Sequence, residues 1–159
     1  MARLVLDSTV LIDAQRGGSA AAGAAGLRRA GIEPWVCVIS AEEIWRGLRS
    51  SEELVARRLF RGLRLAPLGV AEGVRAGDWR REFARQGVTL HQSGCLIASA
   101  AVGVNASLAT ANTAVLPMEE LTVEDWPAGG RPEPIHPEPA VERIADGESG
   151  EALSSSFWR

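Results

Sequence analysis

Hydrophobic and polar positions along the chain change rhythm several times, and the changes mark a series of short elements. Arg3 to Leu6 is an apolar run that stops at Asp7, and Val10, Leu11 and Ile12 follow at helical spacing, so the opening reads as strand, acidic turn, helix. Gly17 to Gly31 is mostly Ala and Gly and reads as a loose loop leading into a helix. Trp35 to Ile39 (WVCVI) has the aromatic and β-branched content of a buried strand. Ser40 with Glu43 fits a capping box at the head of a helix, and Ser50 with Glu53 repeats it before Leu54, Val55, Leu59 and Phe60, predicting a helical hairpin.

Leu63 to Leu68 predicts a short strand broken by Pro67, and Val70 to Gln86 a helix carrying Val74, Trp79 and Phe83. Ser93 is placed to cap a further helix whose Leu96, Ile97, Ala98, Ala100, Ala101 and Val102 are so uniformly small and apolar that it belongs against a sheet. Ser107 to Thr110 (SLAT) then reads as the last inner strand, leading to Asn112. Strands alternating with helices predict an α/β fold with a mainly parallel central sheet.

Past Trp126 the pattern stops. Five of the eight prolines lie there, mixed with Gly, Glu and Ser, so residues 1–126 are expected to form one domain and 127–159 a flexible tail ending in Phe157 and Trp158. All 17 basic residues are arginines, but the net charge is -3, which lacks the positive excess of a protein coating nucleic acid. Cys37 and Cys95 show no zinc-site spacing and read as buried thiols. The opening MARLVLDSTVLID is too short an apolar run to span a membrane, and a cytoplasmic protein is expected.

Ligands of open α/β sheets bind beyond the carboxyl ends of the strands. Asp7 sits at one such end, Glu43 in the helix after the second strand, and Asn112 just past the last strand, so all three are expected to face one crevice. Gathered carboxylates repel unless a cation neutralises them, and Mg2+ (or Mn2+) takes hard oxygen ligands while keeping several waters. Such an ion activates water and stabilises charge on a phosphate, so phosphodiester hydrolysis is the reaction this grouping suits. Asp7 and Glu43 are the expected metal ligands and Asn112 a further catalytic residue. Each also has a structural alternative: Asp7 as a helix N-cap, Glu43 as the capping-box partner of Ser40. Glu42 and Asp13 could replace a missing ligand and His91 could contact RNA phosphate, but all three read first as solvated surface; the arginines from Arg57 to Arg64 and Arg75 to Arg85 read as solvated helix faces that would steer RNA if they border the crevice.

Four segments carry a family resemblance. VLDSTVLID (Val5 to Asp13), SAEEIWRG (Ser40 to Gly47), SGCLIASA (Ser93 to Ala100) and TANTAVL (Thr110 to Leu116) occur in order, and together they resemble the four motifs of PIN domains of the VapC toxin type, over roughly residues 3 to 126. In the first two, Asp7 and Glu43 stand where the family has metal-binding carboxylates. In the third, Gly94 stands where it has an Asp. In the fourth, Asn112 matches, but Val115 and Leu116 depart from the pattern. The resemblance implies a three-layer α/β/α sandwich and a Mg2+-dependent endoribonuclease toxin with an incomplete acidic site, acting on RNA, paired with a cognate antitoxin and forming a homodimer. The alternative it leaves open is an inactive PIN-fold protein that keeps antitoxin binding and dimerisation.

Overall fold

The computed structural model describes residues 1–18, 24, 26–113, 116–126 and 133–135. Its sheet has the order β3-β2-β1-β4-β5-β6, built from β1 (Ala2–Leu6), β2 (Ile32–Cys37), β3 (Arg64–Ala66), β4 (Ser107–Thr110), β5 (Val123–Asp125) and β6 (Glu133–Ile135). The first five run parallel and β6 pairs with β5 antiparallel. Five helices are present among the described residues: α1 (Ser8–Gln15), α2 (Val38–Gly47), α3 (Glu53–Arg61), α4 (Val70–Arg85) and α5 (Gln92–Gly103).

Side chains alternate across the central strands and sort the core into two halves. Leu4, Leu6, Val36 and Ala109 face one way and are covered by Val10 and Leu11 of α1 and Ile44 of α2. Val5, Cys37 and Leu108 face the other way and are covered by Ala76 and Trp79 of α4 and by α5. This is the α/β/α sandwich. The innermost strands β1 and β4 are the most deeply covered, with Leu4, Val5, Leu6, Leu108 and Ala109 all within 1% of full burial.

The all-small character of α5 has a packing cause. Ala98, Ala100 and Ala101 are wholly buried, which brings the helix backbone close to the sheet and leaves no room for longer side chains. Ala98→Leu is therefore expected to cost about 1–3 kcal/mol. A urea titration showing an unchanged midpoint would contradict such tight packing.

Several sequence expectations shift here. The strand expected at Trp35 to Ile39 ends at Cys37, whose extended backbone makes it the N-cap of α2. Ser40 is thus inside the first turn of α2, wholly buried, with its hydroxyl unpartnered. No capping box joins it to Glu43. The reason is that a short apolar run such as WVCVI reads the same in a buried strand and in the buried start of a helix. The second capping box also moves by one residue: Glu52 accepts the Arg49 N–H at 2.8 Å, at the head of a 3-10 turn (Ser50–Glu52) that precedes α3. Likewise His91, not Ser93, is the N-cap of α5.

On the hairpin, Ile44 is buried and Leu48 and Leu59 partly so, but Leu54 is 60% exposed. β5 and β6 had no sequence forecast, and β6 falls within the stretch read as a tail. The remainder of that stretch, including Phe157 and Trp158, lies outside the described residues, as does part of the Gly17 to Gly31 segment.

Candidate active site

β1 and β4 lie side by side, so their carboxyl ends open into one crevice. Asp7, at the end of β1, is held there by its backbone, whose N–H donates to Ala109 O at 2.9 Å. Its carboxylate is held too. Oδ1 accepts the Ser8 N–H at 2.7 Å and the Ser8 hydroxyl at 3.3 Å, while Oδ2 accepts the Thr110 hydroxyl at 2.7 Å and the Thr9 hydroxyl at 3.1 Å. Those threonines are themselves anchored: Thr110 Oγ1 accepts the Asn112 N–H and Thr9 Oγ1 accepts the Ala111 N–H, each at 3.1 Å. One carboxylate thereby ties together the end of β1, the start of α1 and the turn after β4.

Around it lies a cleft of about 190 Å3 lined by Asp7, Ser8, Thr9, Glu43, His91, Ser93, Gly94, Ile97, Leu108, Thr110, Asn112 and Leu116. The three expected site residues are all on its wall. Asp7 and Glu43 are half-buried and Asn112 exposed. Glu43 makes no hydrogen bond or ion pair with another described residue. The side chain of Asp7 caps α1 and also lines the cleft.

Gly94 lines the cleft in the first turn of α5. A β-carbon there would meet only Leu116 Cδ2, at 3.7 Å, an ordinary contact. The space for a side chain is present. Val115 lies outside the described residues, whereas Leu116 is buried against the cleft.

Glu42 points away, paired with Arg46 at 3.4 Å on an exposed helix face, and Asp13 is not part of the cleft. Among the described residues no arginine lines the cleft. Arg57 stacks on Trp45, Arg81 pairs with Asp78, Arg85 with Glu82, and Arg75 donates to Ser99, so the arginines serve the helix surfaces. His91 is exposed, as the sequence reading has it, and it also lines the cleft. The hydroxyls of Ser8, Thr9 and Thr110 are functional candidates that pattern reasoning passed over. The only sequence signal was the run of hydroxyl residues after Asp7 and two places before Asn112.

The donor set is all oxygen: two carboxylates, one amide and several hydroxyls. That suits a hard cation such as Mg2+, which is often held by one or two carboxylates together with substrate phosphate and water. Among the described residues no three His, Cys, Asp or Glu side chains are grouped closely enough to hold a metal by themselves. The residues fit an ion shared with a substrate rather than one caged by protein. Burial pushes the Cys95 thiol, one turn into α5, up to about 11, and it also raises Cys37, so both stay neutral core groups.

Solved structures with this arrangement of elements settle what fold it is. The chain is similar to VapBC2 from Rickettsia felis bound to a DNA fragment from its promoter, with TM-score 0.69 and 18% identity over 78% of this chain and 98% of the other. The fold is that of a VapC-type PIN domain. DNA-bound VapBC from Salmonella typhimurium gives TM-score 0.68 and 17% identity over 79% and 99% of the two chains. VapBC-5 from Mycobacterium tuberculosis gives 0.57 and 17% over 77% and 98%. No family model and no curated protein matches the sequence. The PIN fold explains why three distant motifs converge, because it places β1 and β4 adjacent although about a hundred residues separate them. None of the described helices is long and apolar enough to cross a membrane.

Proposed function

We propose that this chain is a Mg2+- or Mn2+-dependent endoribonuclease of the toxin kind, working on cytoplasmic RNA under the control of a cognate antitoxin. The observation that carries the reading is the convergence of Asp7, Glu43 and Asn112 on one cleft at the carboxyl ends of β1 and β4. Asp7 and Glu43 would hold the ion, and Asn112 would add a neutral oxygen near the mouth. When bound, such an ion supplies a water of lowered pKa and neutralises charge developing on the phosphate. The protein's own part is positional. The hydroxyls of Ser8, Thr9 and Thr110 fix the Asp7 carboxylate, and the unpaired Glu43 is left available across the cleft.

The antitoxin part of the reading rests on the fold and on an apolar groove between α2 and α3, formed by Val38, Ala41, Trp45 and Phe60. Trp45 is 39% exposed there. Leu65, Val70 and Val74 form further exposed apolar surface by the edge strand β3, which fits the expected homodimer. The similar structures are themselves toxin-antitoxin complexes.

Incubating the chain with RNA and Mg2+ or Mn2+ tests the reading. Slow cleavage is expected, abolished by chelation and reduced on the order of 100-fold or more by Glu43→Gln, as loss of a direct ligand should exceed the loss from an outer partner. Equal rates for Glu43→Gln and the parent chain would remove Glu43 from the site. A second reading, a PIN-fold binding protein without nuclease activity, is favoured by one observation: every acceptor direction of Asp7 is already taken by a protein donor. Metal-dependent cleavage by the unmodified chain would exclude it.

A further inference from the structure

Building on the nuclease reading, we infer that His91 is a catalytic residue of the cleft, its imidazolium meeting the RNA phosphate and donating the proton to the leaving oxygen. Phosphodiester hydrolysis has two charge problems. The attacking water must be activated on one side, and the departing alkoxide must be protonated on the other. The carboxylates of Asp7 and Glu43 answer only the first, since acidic side chains that are ionised cannot donate.

Among the described residues of the cleft wall, His91 is the one able to carry positive charge, because no described arginine lines it and the chain has no lysine. It enters from the α5 side, whereas Asp7 enters from the β1–α1 side. Its backbone is fixed as the N-cap of α5, with its carbonyl accepting the Cys95 N–H at 3.1 Å. Its ring is exposed and takes no hydrogen bond from, and forms no ion pair with, any described residue, so it is free to meet a ligand.

The charged groups around it are few. Asp7 and Glu43 face the same cleft, Arg80 of α4 donates to the carbonyl of Leu90 just behind it, and the neutral thiol of Cys95 lies one turn on. In the reaction, water oxygen forms the new bond to phosphorus and the bond from phosphorus to one ribose oxygen breaks. That oxygen takes the imidazolium proton, the proton shed by the attacking water passes to bulk solvent, and His91 is reprotonated from solvent.

The test uses single-turnover cleavage of a short oligoribonucleotide with Mg2+, in the parent chain and in Gly94→Asp. His91→Gln is expected to lower the rate on the order of 100-fold and to change KM little. Added imidazole should restore part of the activity of His91→Ala. A metal-free readout accompanies it: with chelator present, a fluorescent 2′-O-methyl oligonucleotide should bind the parent chain more tightly than His91→Gln. If cleavage occurs but His91→Gln matches the parent in rate and binding, this inference is overturned and the nuclease reading stands. If no variant cleaves and binding is indifferent to His91, both fall together.

Discussion

Gly94→Asp is expected to turn a weak site into a competent one, raising affinity for Mg2+ or Mn2+ and RNA cleavage by on the order of 10- to 100-fold. The geometry permits the change at little structural cost. The backbone of Gly94 is not left-handed, and the new β-carbon meets only the flexible end of Leu116 at 3.7 Å. Asp is also a slightly better helix former than glycine, by about 0.1–0.3 kcal/mol. A carboxylate in the first turn of α5 gains about 0.3–1 kcal/mol from the helix dipole. Opposing both is repulsion from Asp7 and Glu43 across the cleft.

That opposition gives the experiment its signature. Without metal, the variant should show nearly the parent's Tm, as repulsion offsets the helix gains. With Mg2+ it should be stabilised more than the parent, because only an ion relieves three gathered carboxylates. Calorimetric titration with Mn2+ alongside RNA cleavage checks both. Identical metal affinity in the two chains would mean that position 94 does not address the ion, and the correspondence of Gly94 with a metal-site Asp would fail.

The sequence carried those parts of the fold whose local pattern and tertiary environment agree. β4 was read at the boundaries it has, Ser107–Thr110, because a short apolar run after a small-residue helix has one good place in an α/β layer. α4 was read to within a residue, since Val74, Trp79 and Phe83 separate cleanly from the polar positions between them. Trp35 to Ile39 misled because burial on all sides removes the periodicity that distinguishes strand from helix. β5 was unreadable for the opposite reason: three residues, two of them acidic, carry no pattern.

The site divides in the same way. Asp7, Glu43 and Asn112 were legible because strand ends in a parallel sheet are where ligands bind, and oxygen donors there stand out. The bonds from Ser8, Thr9 and Thr110 were not, since they depend on β1 lying beside β4, which no local window reveals. The N-cap of α5 lies two residues earlier than expected, at His91 rather than Ser93, and His91 lines the cleft.

Asp7→Ala is expected to destabilise the metal-free chain by about 2–3 kcal/mol, an unusual result for a residue argued to serve catalysis. Removing an acid from a functional cleft more often stabilises, because it relieves repulsion built in for a ligand. Here the carboxylate also caps α1, worth about 1 kcal/mol. It is the acceptor for the Thr110 hydroxyl as well, and Thr110 is only 1% exposed, so its lost charged hydrogen bond costs about 1.5–3 kcal/mol. Relief of repulsion from Glu43 returns a part of the total. In a domain of this size each kcal/mol shifts Tm by about 2–4 °C. Asp7→Asn, which keeps one acceptor oxygen, should lose less stability while losing metal-dependent cleavage as fully. Thermal melts of both variants in chelator decide it: a Tm at or above the parent's for Asp7→Ala would show that the hydroxyl network contributes nothing, and that Asp7 is held there for an ion alone.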